Sequence, residues 1–393
     1  MQARALTWVI KASKQCNLRC AYCYEFNELA DPRRMPFELW HKILAAIRTH
    51  NEIETARHGR ANISSIVWHG GEPLLLPLDY MKQVIALQHE VFGPLALSRE
   101  HFPNNMQTNC YVVREEQVEF LKANNFSISV SVDVIPGVRL SVNGKPTEKN
   151  VIANVARLRA AGFNPGGIAV LASHTAKEIT KVYDFFESMR MSFRILPLFE
   201  GPSERPMDRF NLTIDEIVSA MERLFLHWME KETAIPVVPF IEYVEVALRK
   251  MTDLGVARYD RRVGGDKVFV VNTNGDLYLV QHAYAEHKKL GNLMDQTYEE
   301  IIGSPRYVES IEEEISEQNA RCGTCDYRHA CTGWPLFATR YPNEDVNAPC
   351  PVASRSMAFI EKFFRENGFT KESLLAMAGD KAPQFREMDA LEA

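Results

Sequence analysis

Eight cysteines fall into two groups and a singleton: Cys16, Cys20 and Cys23 near the start, Cys322, Cys325, Cys331 and Cys350 near the end, and Cys110 between them. The chain opens MQARALTWVIKASKQC, which lacks the uninterrupted apolar stretch of a signal peptide. A disulfide framework is therefore not expected, and clustered thiols in a reducing compartment point to two metal sites. The first group reads CxxxCxxC (Cys16-Asn-Leu-Arg-Cys20-Ala-Tyr-Cys23). Three thiolates on one loop can hold three irons of a 4Fe–4S cluster and leave the fourth open to a ligand, whereas clusters that only transfer electrons take four cysteines. A zinc site would need a fourth ligand close by, and His41 is too far along the chain. The second group, CxxCx5C followed by Cys350, supplies four thiolates. Its spacing alone suits a 4Fe–4S cluster and a zinc ion equally.

Three more segments could line a site. Trp68-His69-Gly70-Gly71-Glu72-Pro73 combines two glycines, which let backbone approach a ligand, with a carboxylate that can accept from an ammonium group. Gln107-Thr108-Asn109-Cys110 and Ser129-Val-Ser131-Val-Asp133 each end an apolar run. His69, His282, His287 and His329 read as loop or surface histidines and are assigned no role.

The elements that would position these segments alternate. Strands are expected at Thr7–Ala12, Ile63–Trp68, His101–Thr108, Phe126–Val132, Gly167–Leu171 and Phe193–Leu198. Helices are expected at Pro36–Arg48, Leu78–Val91, Glu115–Ala123, Glu148–Ala161, Ala176–Met189 and Ile214–Lys231. Six β/α units imply a parallel sheet flanked by helices, as a partial barrel or a doubly wound sheet, with the site at the carboxyl ends of the strands. The chemical motifs fall at those ends. From Pro236 the pattern changes: a helix at Ile241–Met251, then a hairpin of Lys267–Asn272 and Asp276–Val280 around Thr273-Asn274-Gly275. Helices at Thr297–Ile302, Pro305–Glu313 and Ala353–Asn367 frame the second cysteine group. Residues 1–235, 236–265, 266–360 and 361–393 are thus read as a barrel, a helical bridge, a metal-binding domain and a tail.

The CxxxCxxC and GGE motifs resemble the radical S-adenosylmethionine superfamily, and the C-terminal cysteines resemble its SPASM domain. The resemblance covers roughly residues 5–360, with motifs in the expected order. It implies an α/β fold: a partial (β/α)6 TIM-like barrel followed by a SPASM/twitch-like iron–sulfur domain. It also implies a three-cysteine 4Fe–4S cluster that binds S-adenosylmethionine. Tyr22 is expected near the adenine, and Gly70, Gly71 and Glu72 around the methionine amino group. Asn109, Ser131, Asp133 and Arg139 are expected beside the cofactor, although Arg139 reads equally as a surface arginine. The sulfatase-maturing and peptide-modifying subgroup usually reads QTNG and SxDG, where this chain has Cys110 and Val134. SPASM domains commonly carry two auxiliary clusters. The outer set is complete here (Cys322, Cys325, Cys331, Cys350), but Gly275–Leu293 contains no cysteine and the last inner position is Pro335. One auxiliary cluster is expected, and the acidic base that sulfatase-maturing enzymes place beside an inner-cluster cysteine has no counterpart by motif.

A net charge of −6 gives no footprint for nucleic acid, and no apolar run approaches the roughly 18 residues of a membrane span. A cytoplasmic enzyme is expected, taking one electron from flavodoxin or ferredoxin and generating a 5′-deoxyadenosyl radical. The favoured substrate is a ribosomally made precursor peptide, crosslinked between side chains in the C–C or cyclophane manner. Cys16 leaves no room for a leader-binding domain before the barrel, so leader recognition is expected to need another surface or a separate leader-binding protein. The alternatives are a peptide epimerase using Cys110 as hydrogen donor, a sugar or cyclitol dehydrogenase, a sulfatase-maturing enzyme, and a non-catalytic redox protein. A lone cysteine is more often a buried small hydrophobe than a donor.

Overall fold

The computed structural model describes residues 5–59, 62–99, 101–198, 210–252, 268–279, 286–328, 330–331 and 350–374. Lys267, Val280, His282, His329, Pro335 and the end of the tail lie outside them. The described strands are β1 (Ala5–Ser13), β2 (Leu18–Cys20), β3 (Ile63–Gly70), β4 (Asn104–Thr108), β5 (Ser127–Ser131), β6 (Arg139–Ser141), β7 (Gly166–Leu171), β8 (Phe193–Pro197), β9 (Val237–Val238), β10 (Val268–Val271), β11 (Asp276–Leu279) and β12 (Gly291–Asn292). Helices α1 (Phe37–His58), α2 (Leu78–Phe92), α3 (Glu115–Ala123), α4 (Glu148–Ala160), α5 (Ser173–Lys177), α6 (Ile179–Ser188), α7 (Ile214–Met229) and α8 (Phe240–Thr252) accompany the strands. They are followed by α9 (Tyr298–Ile302), α10 (Pro305–Gly323) and α11 (Pro351–Glu366).

The large sheet runs β12-β11-β10-β1-β3-β4-β5-β7-β8-β9, and every pairing from β10 through β1 to β9 is parallel. Six β/α strands in sequential order mean that the sheet winds in one direction. A doubly wound sheet would reverse its order partway. The open alternative is thereby settled in favour of the partial-barrel arrangement. β10 pairs in parallel with β1 on its free edge, and β11 and β12 continue antiparallel from it. The C-terminal hairpin is therefore an extension of the N-terminal sheet.

Alternation along each strand separates two faces. Trp8, Ile10, Ala12, Ile66, Trp68, Met106, Val130, Ala169 and Ile195 are buried and belong to the main core, which also includes Trp40, Ile43 and Ile47 of α1. The opposite face presents His69, Gln107, Ser129, Ser131, Val170, Arg194 and Leu196, all only half buried.

Several elements differ from expectation. α1 runs ten residues past Arg48, to His58. Thr49-His50-Asn51 is a weak helix former, but His50 bonds the Tyr298 hydroxyl at 2.7 Å and Asn51 accepts from Asn62 and Ser64. β4 begins at Asn104 rather than His101, because Pro103 has no N–H for the ladder. The helix expected at Ala176–Met189 is two, α5 and α6, broken at Glu178. Thr175 turns its hydroxyl back onto the Val170 and Ala172 carbonyls, and Ala172 N–H donates to it. α10 continues to Gly323 and so carries Arg321 and Cys322 on its last turn.

Trp8 sits where the first strand meets the C-terminal segment. It is fully buried, with ring centroids 4.9 Å from Phe269 and 5.9 Å from Tyr298. Trp8→Ala should lower the unfolding free energy by about 3–5 kcal/mol, read by urea titration, and Trp8→Phe should recover most of the loss.

Candidate active site

The three-cysteine loop leaves the end of β1 and is held by backbone. Gly71 N–H donates to Ser13 O and Glu72 N–H to Gln15 O, both at 2.9 Å. A Cβ on Gly70 would stand 2.0 Å from Ser13 O, and one on Gly71 would stand 2.3 Å from Lys14 O and 2.4 Å from Gln15 O. Gly70 also has φ +126°. Only glycine fits either position.

Glu72 is buried and binds three donors: Leu74 N–H (2.9 Å) and the Thr108 hydroxyl (2.7 Å) on Oε1, and Asn109 N–H (2.7 Å) on Oε2. Burial raises its pKa, against the pull of those donors. One carboxylate thus joins the GGE loop to the end of β4. Asn109 passes the connection on, its Nδ2 lying 2.8 Å from Asn17 Oδ1 and 3.6 Å from Cys16 Sγ. Below the loop, Lys11 on β1 makes a buried ion pair with Glu25 at 2.7 Å.

β2, which ends on Cys20, pairs antiparallel with β6, and the register sets Cys20 opposite Arg139. Arg139 is buried rather than on the surface. Its Nη1 is 3.4 Å from the Tyr22 hydroxyl and 3.9 Å from Asp133 Oδ2, and the Tyr22 hydroxyl donates to the same Asp133 oxygen. Burial raises the Asp133 pKa, with Arg139 and Tyr22 opposing. Ser131 accepts from Gln107 Nε2 at 2.9 Å on the half-buried face. The segments named from sequence therefore meet at the carboxyl ends of the strands.

Desolvation pushes the Cys16 and Cys23 thiols up to about 12, and Cys20 is raised for the same reason. Loading a cluster on these thiols must release protons. Among the described residues, the buried polar atoms around this loop without a hydrogen-bond partner include Asn17 Nδ2, Arg139 Nε, Asp133 Oδ1 and both ring nitrogens of His174. Unpartnered buried donors and acceptors side by side fit a polar ligand that brings both.

His174 was not singled out by sequence. It follows β7 on α5, nearly parallel to Tyr22 at 6.2 Å and edge-on to Phe210 at 5.7 Å. Burial lowers its pKa, with Asp133 opposing. Its position after a strand end was the available signal. His69 is likewise held neutral by burial and by Lys11, at about 4.

Cys110 is fully buried in the main core, with φ +55°. That backbone region favours glycine, which accounts for the residue usual in the related QTNG segment. The buried-hydrophobe reading fits this placement, and the hydrogen-donor reading gains nothing from it. Val134 has no left-handed backbone, so glycine is not required there.

The second group also converges: Cys322, Cys325, Cys331 and Cys350 line one cavity, together with Arg321, Tyr327 and Arg328.

Residues 10–186 match the Radical SAM superfamily, and residues 263–326 match SPASM, an iron–sulfur cluster-binding domain. The chain thus carries a radical SAM domain followed by a SPASM iron–sulfur cluster-binding domain. It is 24% identical to a serine-type anaerobic sulfatase-maturating enzyme of Bacteroides thetaiotaomicron, over 81% of this chain and 79% of that one. It is also 24% identical to a cysteine-type enzyme of Clostridium perfringens, over 84% and 88%. The structure of anSMEcpe with bound AdoMet and the Kp18Cys peptide superposes with TM-score 0.71 at 21% identity, covering 96% of this chain and 99% of that one. Streptococcus suis SuiB bound to precursor peptide SuiA gives TM-score 0.57 at 15% identity, covering 88% and 76%. Among the described residues no helix is long and apolar enough to cross a membrane.

Gly71→Ala should expel the first loop and lose about half of the chain's iron, with the second site still loaded. Iron per chain and visible absorbance check this; full iron in the variant would contradict it.

Proposed function

We propose that this radical SAM enzyme oxidises side chains of a peptide substrate and joins them in a crosslink. The observation that carries the peptide reading is fold similarity over nearly the whole chain to proteins solved with peptides bound. The half-buried face of the sheet suits such a substrate, since Gln107, Ser131 and Arg194 offer polar groups beside the apolar Val170 and Leu196. Cys16, Cys20 and Cys23 would hold the first 4Fe–4S cluster, and Cys322, Cys325, Cys331 and Cys350 the one auxiliary cluster. When bound, the first cluster and S-adenosylmethionine supply a carbon-centred radical that takes a hydrogen atom from substrate.

The chain's own groups position and shield. Glu72 Oε2, with one donor already on it, has capacity left for an ammonium group. Arg139 offers Nε to a carboxylate, and Tyr22 is held by Asp133 beside the loop. Gly70 and Gly71 keep that loop seated, while Asn109 supports Cys16 and Ser131 anchors Gln107. Flavodoxin or ferredoxin would supply the electron.

Sulfatase maturation is the second reading, favoured by the named activity of the relatives. Against it stands the stretch Gly275–Leu293, which holds no cysteine, and in which no acid follows Asp276 before Glu286.

Anaerobic coexpression with small peptides encoded beside the gene should give products lighter by about two daltons per crosslink, located by fragmentation. Oxidation of a sulfatase-derived serine or cysteine peptide instead would favour the second reading, and inertness toward both would refute a peptide substrate. Cys110→Ala should turn over within about twofold of the parent, as expected for a buried packing residue; loss of a stereo-inverting activity in that variant would restore the donor role.

A further inference from the structure

The ribbon of β2 and β6 is one layer thick, and its two sides differ. Strand alternation sends Leu18, Cys20, Arg139 and Ser141 to one side, where Leu18, Arg139 and Ser141 are buried and Cys20 is half buried. The other side carries Arg19 opposite Leu140, both half buried. It continues into a turn with Val142, 52% exposed, and the exposed Lys145. Val142 N–H donates to Asn17 O at 3.2 Å, which sets the turn one residue from Cys16. Arg19 Nη1 donates to Cys16 O at 2.9 Å and to Leu18 O at 2.7 Å. Of the neighbouring acids, Glu25 and Glu28 are paired with Lys11 and Lys14, and Asp133 faces Arg139 on the inner side. Half-buried Glu148 holds Gly137 N–H at 3.2 Å and is followed by exposed Lys149. Among the described residues, Arg19 and Lys145 are paired with no acid.

We propose, on the reading that Cys16, Cys20 and Cys23 hold a cluster, that the outward side of this ribbon is the docking surface for a reduced flavodoxin. Electron transfer weakens steeply with distance, and a single strand pair separates Cys20 from this surface. In a chain of net charge −6 the patch is locally cationic, with Leu140 and Val142 between Arg19 and Lys145. A flavodoxin presents the complement, an apolar flavin edge set in an acidic rim. Opposite charge steers the encounter and fixes its orientation, and covering Leu140 and Val142 removes apolar surface from water. One electron leaves the carrier, which is oxidised, and reduces the site behind the ribbon. No peptide takes part in this step.

The test measures 5′-deoxyadenosine released from S-adenosylmethionine by the full, iron-loaded chain without peptide, driven either by enzymatically reduced flavodoxin or by dithionite. Val142→Asp combined with Lys145→Glu should cut the flavodoxin-driven rate about tenfold or more and leave the dithionite-driven rate within about twofold. Added salt should slow the parent with flavodoxin far more than with dithionite. Lys82→Glu, on an exposed position of α2, should change neither rate. If the double variant sheds iron, Lys145→Glu alone decides. An unchanged flavodoxin-driven rate overturns the proposal. So do an equal loss with both reductants, an equal loss in Lys82→Glu, and a parent that dithionite drives but flavodoxin does not. A parent that neither reductant drives refutes the cluster reading and the docking surface with it. Peptide turnover is not read at any point, so the peptide reading stands or falls separately.

Discussion

Everything at the first site depends on one close approach of backbone to backbone. The Gly70-Gly71 segment lies directly on Ser13, Lys14 and Gln15, at distances that no side chain could occupy. Two hydrogen bonds across this contact seat the loop that begins at Cys16. Glu72 then extends the same contact to β4 by taking the Thr108 hydroxyl and the Asn109 amide. A carboxylate buried with three donors is stable only while all three remain in place. The cysteine loop, the GGE loop and the end of β4 are therefore one cooperative unit, and Asn109 beside Cys16 closes it.

The sheet beneath divides labour between its faces. One face packs tryptophans, methionines and branched aliphatics against the helices, which gives the strand ends a rigid base. The other is half buried and mixes polar Gln107, Ser131 and Arg194 with apolar Val170 and Leu196. Tyr22, Asp133 and Arg139 belong to this open end, although each is buried. Their interdependence follows from geometry, because β6 lies against β2 and delivers Arg139 opposite Cys20.

The auxiliary region is tied to the same sheet through β10, which pairs with β1, and through Trp8 against Phe269 and Tyr298. Helices α8 and α11 also meet beside its cysteines, where Lys250 and Glu361 pair. Changes in the second domain should therefore be felt at β1, the strand that leads into the cluster loop. Cys110 shows how a local constraint persists when its residue changes: the left-handed backbone survives, and the core accommodates the thiol.

Chemistry that depends on spacing along the chain was legible from sequence. CxxxCxxC, GGE and CxxCx5C each place their ligands within a few residues, so loop geometry decides most of what they can hold. The β/α alternation was legible too, because burial of one face imposes its period on the chain. Tertiary structure alone decided the rest. Strand order separated a partial barrel from a doubly wound sheet. Pairing of β10 with β1 joined segments more than 250 residues apart. Contacts with Tyr298, Asn62 and Ser64 carried α1 past a weak stretch, and the extension of α10 brought Arg321 to Cys350. His174 and the burial of Arg139 were invisible for the same reason. A side chain's environment is set by what packs against it, and those neighbours come from distant parts of the chain.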